Sequence, residues 1–138
     1  MLIIFVVFQL LFLTSRPRLF VCPAVPTAFA AAANYYATAL HELTHWTAHP
    51  SRCNRDLSGH FGDDAYAAEE LIAEMGSAFL CAHCRIDGQL QHAGYLSSWL
   101  RVLCSDKRAI FVAATKAQQA ADYVLKLILP TEAVALAA

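Results

Sequence analysis

Apolar residues recur at helical spacing through most of the chain, and turn residues divide the pattern into four segments. The first segment is rich in alanine and contains neither glycine nor proline, which favours a helix. Aspartates stand where the second and fourth segments begin, in positions suited to N-caps, and Pro130 ends the last segment. The predicted helices run from Ala28 to Ala48, from an N-cap at Asp63 or Asp64 to His83, from His92 to Cys104, and from an N-cap at Asp106 to Leu129.

The three later helices each carry a predicted apolar face, because residues three and four positions apart lie on one side of a helix. These faces are predicted to consist of Leu71, Met75, Ala78, Phe79 and Ala82; of Leu96, Trp99, Leu100 and Leu103; and of Ile110, Phe111, Ala114, Ala121, Val124 and Leu125. The predicted fold class is therefore mainly α. Residues 28–130 should form one domain, and residues 131–138 a tail.

The first 27 residues do not fit the helical pattern. Residues 1–13 are almost wholly apolar, but about 20 apolar residues are needed to span a bilayer. Arg16 and Arg18 follow this run instead of preceding it as in a signal peptide, and three prolines then break the chain. We expect residues 1–27 to be a buried strand or helix followed by a loop, or a non-native start. A weak membrane anchor stays open as an alternative.

Composition excludes one class of partner and suggests a compartment. Lys plus Arg total 10 against 11 for Asp plus Glu, and the basic residues are scattered, so direct binding of nucleic acid by this chain is not expected. Five cysteines form an odd set that is too sparse for a disulfide scaffold. Reduced thiols, and hence a cytoplasmic location, are the simpler interpretation.

His41, Glu42 and His45 carry the strongest chemical signal in the chain. Residues four apart lie on one side of a helix, so the two imidazoles face a common point, as a tetrahedral zinc site requires. Glu42 lies one step round the helix, where it can reach a water at that point without being a ligand. This H-E-x-x-H arrangement is typical of zinc metallopeptidases, in which the glutamate is the general base.

A catalytic zinc ion usually has a third protein ligand, and the second helix offers acidic candidates. Glu70 and Glu74 share a face, whereas Glu69 points elsewhere. We assign Glu70 as the third ligand and Glu74 as the partner that fixes the tautomer of a ligating histidine. The reverse assignment, with Glu74 on the metal, stays open. A solvated acidic first turn would explain Glu69 and Glu70 without a metal, but it explains Glu74 poorly.

The segments around these residues resemble the metallopeptidase domain of polyvalent proteins and ArdC-type antirestriction proteins. The similarity covers roughly the last three-quarters of the chain. It rests on residues 35–47 (YYATALHELTHWT), 49–52 (HPSR), 67–74 (AAEELIAE), 78–81 (AFLC), 95–100 (YLSSWL), 106–111 (DKRAIF) and 120–123 (AADY).

The resemblance implies a zincin-like fold with two histidines, a downstream glutamate and a catalytic glutamate. It also implies a place on plasmids, phages or other mobile elements, and fuller members have an upstream domain that binds single-stranded DNA. Residues 1–14 do not resemble the family's sequence before the motif. We therefore expect the small sheet that normally flanks the active helix of a zincin to be reduced or missing.

The resulting hypothesis is a zinc-dependent metallopeptidase domain that hydrolyses peptide bonds in a protein or peptide substrate. Tyr95 is the best candidate for a donor to the oxyanion, although it is equally suited to packing beside Trp99. Arg52 and Arg55 are interpreted either as residues of a substrate cleft or as exposed solubilising charges. The alternative function is a catalytically silent zinc-containing module that blocks a host defence protein. The sequence leaves the oligomeric state open.

Overall fold

The computed structural model describes residues 32–56, 58, 63–87 and 96–128. Within these ranges the chain forms four helices and no strand. The mainly α fold is thus confirmed, and each helix overlaps a predicted one. The helices are α1 (Ala32–Trp46), α2 (Asp64–Cys84), α3 (Leu96–Ser105) and α4 (Ala109–Ile128).

Several predictions concern residues outside the described ranges. These are the segment 1–27, the tail 131–138, the predicted helix starts at Ala28 and His92, and Tyr95. Among the helices of the described part, none is both long enough and apolar enough to cross a membrane.

Specific backbone contacts define both ends of α2. Asp63 is the N-cap, and its carboxylate accepts a hydrogen bond of 2.7 Å from the N–H of Tyr66, as the sequence predicts. At the other end Arg85 adopts the left-handed conformation, with φ of 55°. The next N–H group, that of Ile86, donates to the carbonyl of Cys81 at 2.9 Å and closes the last turn.

Helix α2 is the central element, because it packs against α1, α3 and α4. Its C-terminal half joins α1 and the end of α4 in one core cluster, formed by Ala37, Leu40, Leu43, Leu80, Cys81, Ala121 and Val124. Its N-terminal half joins α3 and the start of α4 in a second cluster, formed by Ala67, Leu71, Ile72, Trp99, Val102, Ala113 and Ala117. Helix α2 is therefore buried on more than one side, and acidic residues on different faces of it, such as Glu69 and Glu70, are both buried.

The predicted apolar faces are right only in part. Leu71, Trp99, Ala121 and Val124 are buried, but the prediction is wrong for Ala78, Ala82, Leu100 and Phe111, which are exposed. The prediction assumes one apolar face per helix, and this assumption fails for α2 because it packs against three other helices. Helix α4 is also buried mainly through small residues that permit close approach, namely Ala113, Ala117, Ala120 and Ala121.

Helices α1 and α2 approach each other closely at Thr44 and Gly76. Thr44 is fully buried, and its hydroxyl donates to the carbonyl of Leu40 at 2.9 Å, which fixes its side chain. A Cβ at position 76 would lie 2.6 Å from Cγ2 and 2.8 Å from Oγ1 of Thr44. Glycine is thus the residue that lets α2 approach α1 next to His45.

We expect Gly76→Ala to destabilise the fold by about 1–2 kcal/mol, because overpacking at this contact outweighs the roughly 1 kcal/mol that alanine gains in a helix. Urea unfolding measures the difference. Thr44→Ser removes the methyl group that the new Cβ would meet, so it should recover part of the loss in the double variant. A Gly76→Ala protein as stable as the parent would show that the helices separate at little cost.

Candidate metal centre

Helix α1 presents its two motif histidines side by side. The imidazole rings of His41 and His45 have their centroids 4.8 Å apart, with an interplanar angle of 82°. This follows from their spacing, since residues four apart lie one turn above each other. Both rings face α2, which packs against this side of α1.

Helix α2 places one carboxylate between these two rings. Oε2 of Glu70 lies 3.5 Å from Nε2 of His41, and Oε1 lies 3.5 Å from Nε2 of His45. Glu70 is buried, with 6% of its surface exposed. One ligand atom from each of these three residues lies within 4.8 Å of the others. The structure therefore brings together the three residues that the sequence assigns to the metal.

The donor set fits a divalent cation of the zinc type. In a tetrahedral site with bonds of about 2.0–2.1 Å, neighbouring ligand atoms are roughly 3.3–3.4 Å apart. Each imidazole Nε2 lies at about that separation from one of the two oxygens of Glu70, Oε2 for His41 and Oε1 for His45. Two imidazoles and one carboxylate are also a donor set that catalytic zinc sites use.

Glu74 lies behind His41 rather than between the two rings. Its Oε1 is 3.7 Å from Nδ1 of His41, the ring nitrogen that does not face Glu70. This Nδ1 is buried and has no hydrogen-bond partner. In the described part of the chain the cluster of possible ligands contains Glu70 and not Glu74. The geometry thus favours Glu74 as the neighbour of a ligand.

Glu69 stands behind His45 in the corresponding position. Its Oε1 accepts a hydrogen bond of 3.2 Å from Nδ1 of His45, and the same carboxylate is paired with the guanidinium of Arg55. The sequence does not predict this arrangement, since it places Glu69 on another face and gives no link between Arg55 and Glu69; of the two interpretations of Arg55, the exposed charge is wrong. Both residues are buried, with 7% and 8% of their surfaces exposed.

A signal in the sequence could have identified Glu69. Helix α2 begins at Asp64, so Glu69 lies in the second turn, beyond the free N–H groups that favour acidic residues at a helix start. A solvated acidic first turn is therefore the wrong explanation for Glu69 and Glu70. The position of Arg55 in a connecting segment gave no comparable signal.

The carboxylates and imidazoles shift one another's protonation. Burial disfavours the charged imidazolium, yet hydrogen bonds and the negative charges of Glu69 and Glu70 raise the pKa of His45 to about 9. Burial opposes ionisation of Glu70 too, but hydrogen bonds from His41 and His45 hold the pKa of this carboxyl far below its usual range. Without a metal, His45 is therefore protonated at neutral pH, and a cation that binds its imidazole would displace that proton.

Glu42 lies at the open side of the centre. Together with His45, Asp56, Ala65, Tyr66, Glu69 and Glu70 it lines a cleft of about 270 Å³. A larger cleft of about 670 Å³ shares His45 and Asp56 with this one and is also lined by Arg52 and Arg55. Arg52 stacks on the ring of Trp46 at 3.8 Å and donates to its carbonyl. Glu42 thus lines a cleft that also contains His45 and Glu70.

A model of the zincin-like metallopeptidase family matches residues 19–116, which is more than half of the chain. The chain belongs to this family. A solved relative, the manganese-bound antirestriction protein ArdC from the R388 plasmid, is 46% identical and superimposes with a TM-score of 0.67. That match covers 75% of this chain and 39% of ArdC. The metal-free structure of the same protein gives 51% identity and a TM-score of 0.62. The predicted resemblance to polyvalent-protein and ArdC-type domains is confirmed.

Two further relatives of this zincin-like domain are much longer proteins. A DNA primase TraC of Escherichia coli is 51% identical over 98 residues, which are 70% of this chain and 9% of that protein. The uncharacterised protein y4eC of Sinorhizobium fredii is 49% identical over 98 residues, which are 32% of its length. The chain thus spans less than half of each relative.

We expect a divalent cation such as zinc to stabilise the folded domain, because it binds a site that unfolding destroys. At a concentration of 100 times the dissociation constant the gain is about 2.7 kcal/mol, or roughly 10 °C in Tm for a domain of this size. Thermal unfolding with and without metal measures it. His45→Ala should abolish the shift, whereas His83→Ala, an exposed histidine on α2, should retain it. An equal shift in both variants would place the metal elsewhere.

Proposed function

We propose that this chain is a zinc-dependent peptidase domain in which His41, His45 and Glu70 hold the metal. The observation that carries the proposal is the single buried carboxylate facing both imidazoles at 3.5 Å. Zinc suits this donor set better than magnesium or calcium, which prefer oxygen ligands alone. Membership of a metallopeptidase family supports the hydrolytic assignment.

Bound zinc would supply a Lewis acid that polarises the scissile carbonyl and acidifies a water molecule. Glu42 is the general base of the proposal, because it belongs to the same motif and opens onto the 270 Å³ cleft beside His45 and Glu70. Its carboxylate takes a proton from water and later delivers it to the amine that leaves. Tyr95 stays a proposed donor to the oxyanion.

The histidines need fixed tautomers for this chemistry, since each must present an unprotonated Nε2 to the metal. Glu69 accepts from Nδ1 of His45, and Glu74 lies 3.7 Å from Nδ1 of His41. Both carboxylates therefore favour a proton on the nitrogen that faces away from Glu70. The competing assignment, with Glu74 on the metal, would require His41 to turn its other nitrogen to the site.

The names of the relatives suggest a setting on mobile elements. ArdC is an antirestriction protein of a plasmid, and the TraC relative is named a DNA primase. We propose that this domain acts on a protein or peptide in that antirestriction setting. Contacts to DNA would then belong to other parts of such proteins, since the basic residues here form no stripe.

Two isosteric variants separate the roles of the acidic residues on α2. Glu70→Gln should reduce zinc affinity by far more than Glu74→Gln, because only Glu70 faces both Nε2 atoms. Loss of a carboxylate that orients a ligand typically weakens metal binding about 10- to 100-fold. Competition with a chromogenic chelator measures both affinities. The reverse order would assign the metal to Glu74.

Glu42→Gln tests the peptidase itself. We expect it to retain zinc and the fold but to slow hydrolysis about 10²- to 10⁴-fold, the usual contribution of a positioned general base. Turnover of a peptide library by the zinc-loaded chain is the measurement, and Asp122→Asn, an exposed carboxylate on α4, is the matched control. Equal turnover by Glu42→Gln and the parent would remove the general-base role. A zinc-loaded parent that cleaves no peptide would favour the silent binding module.

A further inference from the structure

We propose that Arg55 is a positioning residue for the metal centre, which holds Glu69 in the place where it orients His45. This inference rests on the proposed metal site but not on peptide hydrolysis. It concerns a residue outside the H-E-x-x-H motif, in the segment that connects α1 to α2. Arg55 touches no reacting group and acts through Glu69, the carbonyl of Thr44 and the hydroxyl of Thr47.

The buried guanidinium of Arg55 donates four hydrogen bonds from its five N–H groups. Nε donates to Oε2 of Glu69 at 3.0 Å, and Nη2 donates to Oε1 at 2.8 Å, which makes a bidentate pair. Nη1 donates to the hydroxyl of Thr47 at 2.8 Å, and Nη2 also donates to the carbonyl of Thr44 at 2.7 Å. One side chain thus joins the end of α1 to α2.

The contacts of Arg55 lie next to the proposed ligands. Thr44 precedes His45 on α1, and Glu69 precedes Glu70 on α2. Both oxygens of Glu69 are bound to the guanidinium, so the carboxylate cannot rotate without breaking two charge-assisted hydrogen bonds. Oε1 of this fixed carboxylate also accepts from Nδ1 of His45 at 3.2 Å. The orientation of the imidazole is therefore set from α2 through Arg55.

Arg55 also neutralises the charge of Glu69. Glu69 is adjacent to Glu70 and would add an unpaired buried charge beside the cation if Arg55 were absent. A free carboxylate in that place could also turn and compete for the metal. The guanidinium neutralises Glu69 and keeps both of its oxygens engaged, so that Glu69 orients a ligand without becoming one.

Stability alone is a weak reason for such a pair. Two charges lose their hydration on burial, and well-packed apolar residues of similar size often stabilise a protein as much or more. The ion pair of Arg55 and Glu69 also lies directly beside His45, because the same oxygen of Glu69 contacts Arg55 and Nδ1 of His45. A positioning role accounts for this placement.

The test measures zinc affinity and the visible spectrum of the cobalt-substituted full chain in four variants. Arg55→Met keeps much of the length but removes the charge, and Arg55→Lys keeps the charge but not the bidentate pair. Glu69→Gln keeps the shape and serves if Arg55→Met fails to fold. Arg101→Met removes an arginine whose ion pair with Asp64 is exposed, and it is the matched control.

We expect zinc affinity to fall 10- to 100-fold in Arg55→Met and Glu69→Gln, less in Arg55→Lys, and not in Arg101→Met. The cobalt spectrum should change in the first two, because His45 loses the fixed carboxylate in Arg55→Met and keeps only a weaker, neutral acceptor in Glu69→Gln. Unfolding of the metal-free chains is measured beside it, since a purely structural role lowers stability while the folded fraction keeps parental affinity and spectrum. That pattern would overturn the positioning role.

The outcomes also separate this inference from the peptidase proposal. A parent chain that binds zinc but cleaves no peptide contradicts the peptidase and leaves the role of Arg55 standing. If Arg55→Met and Glu69→Gln bind zinc as tightly as the parent does, the positioning role is contradicted and the peptidase proposal is not. A parent that binds no zinc overturns both.

Discussion

The packing of α1 against α2 is the constraint on which the candidate site depends. A carboxylate can face two imidazoles at once only if the register of the two helices is fixed to a fraction of an ångström. Gly76 allows that approach beside Thr44, one residue from His45. The core clusters on either side hold α2 between α1 and the other helices. The same apolar contacts that fold the chain therefore position the polar centre.

That centre is costly to bury, and its arrangement shows how the cost is offset. Glu69 and Glu70 are withdrawn from water at adjacent positions of α2, where like charges repel. Glu69 is neutralised by Arg55, whereas Glu70 lies beside the two histidines and the hydroxyl of Tyr66, with no arginine or lysine of the described residues paired to it. Within the described ranges, Glu70 is thus the buried carboxylate of this pair whose negative charge has no permanently charged side chain beside it. A divalent cation between the three donors compensates this charge better than a protonated histidine, because it binds all three at once.

The sequence predicts the parts of this arrangement that follow from spacing along one helix. The caps and the apolar period indicate the four helices, and the four-residue spacing of His41 and His45 indicates their common face. The burial of Glu69 was not predicted, because helical periodicity assigns one buried face to each helix, whereas α2 has neighbours on several sides. The role of Arg55 was not predicted, because it arises from contacts across α1, α2 and the segment between them. Such contacts are tertiary, and no local pattern specifies them.

The residues of the proposed centre lie close together in the sequence, which allows the domain to occur in proteins of different length. The proposed metal ligands, the carboxylates behind them and the general base all come from two successive helices and the segment that joins them, whereas the proposed oxyanion donor Tyr95 lies further along the chain. Domains that carry such a local site can be combined with different neighbours, since no distant part of the chain has to supply a ligand. The relatives agree with this, because the 98 matched residues are 32% of one protein and 9% of another. The proposed metal site therefore needs no residue from outside these two helices and their connection, and selectivity for the proposed substrate would arise in the clefts beside His45.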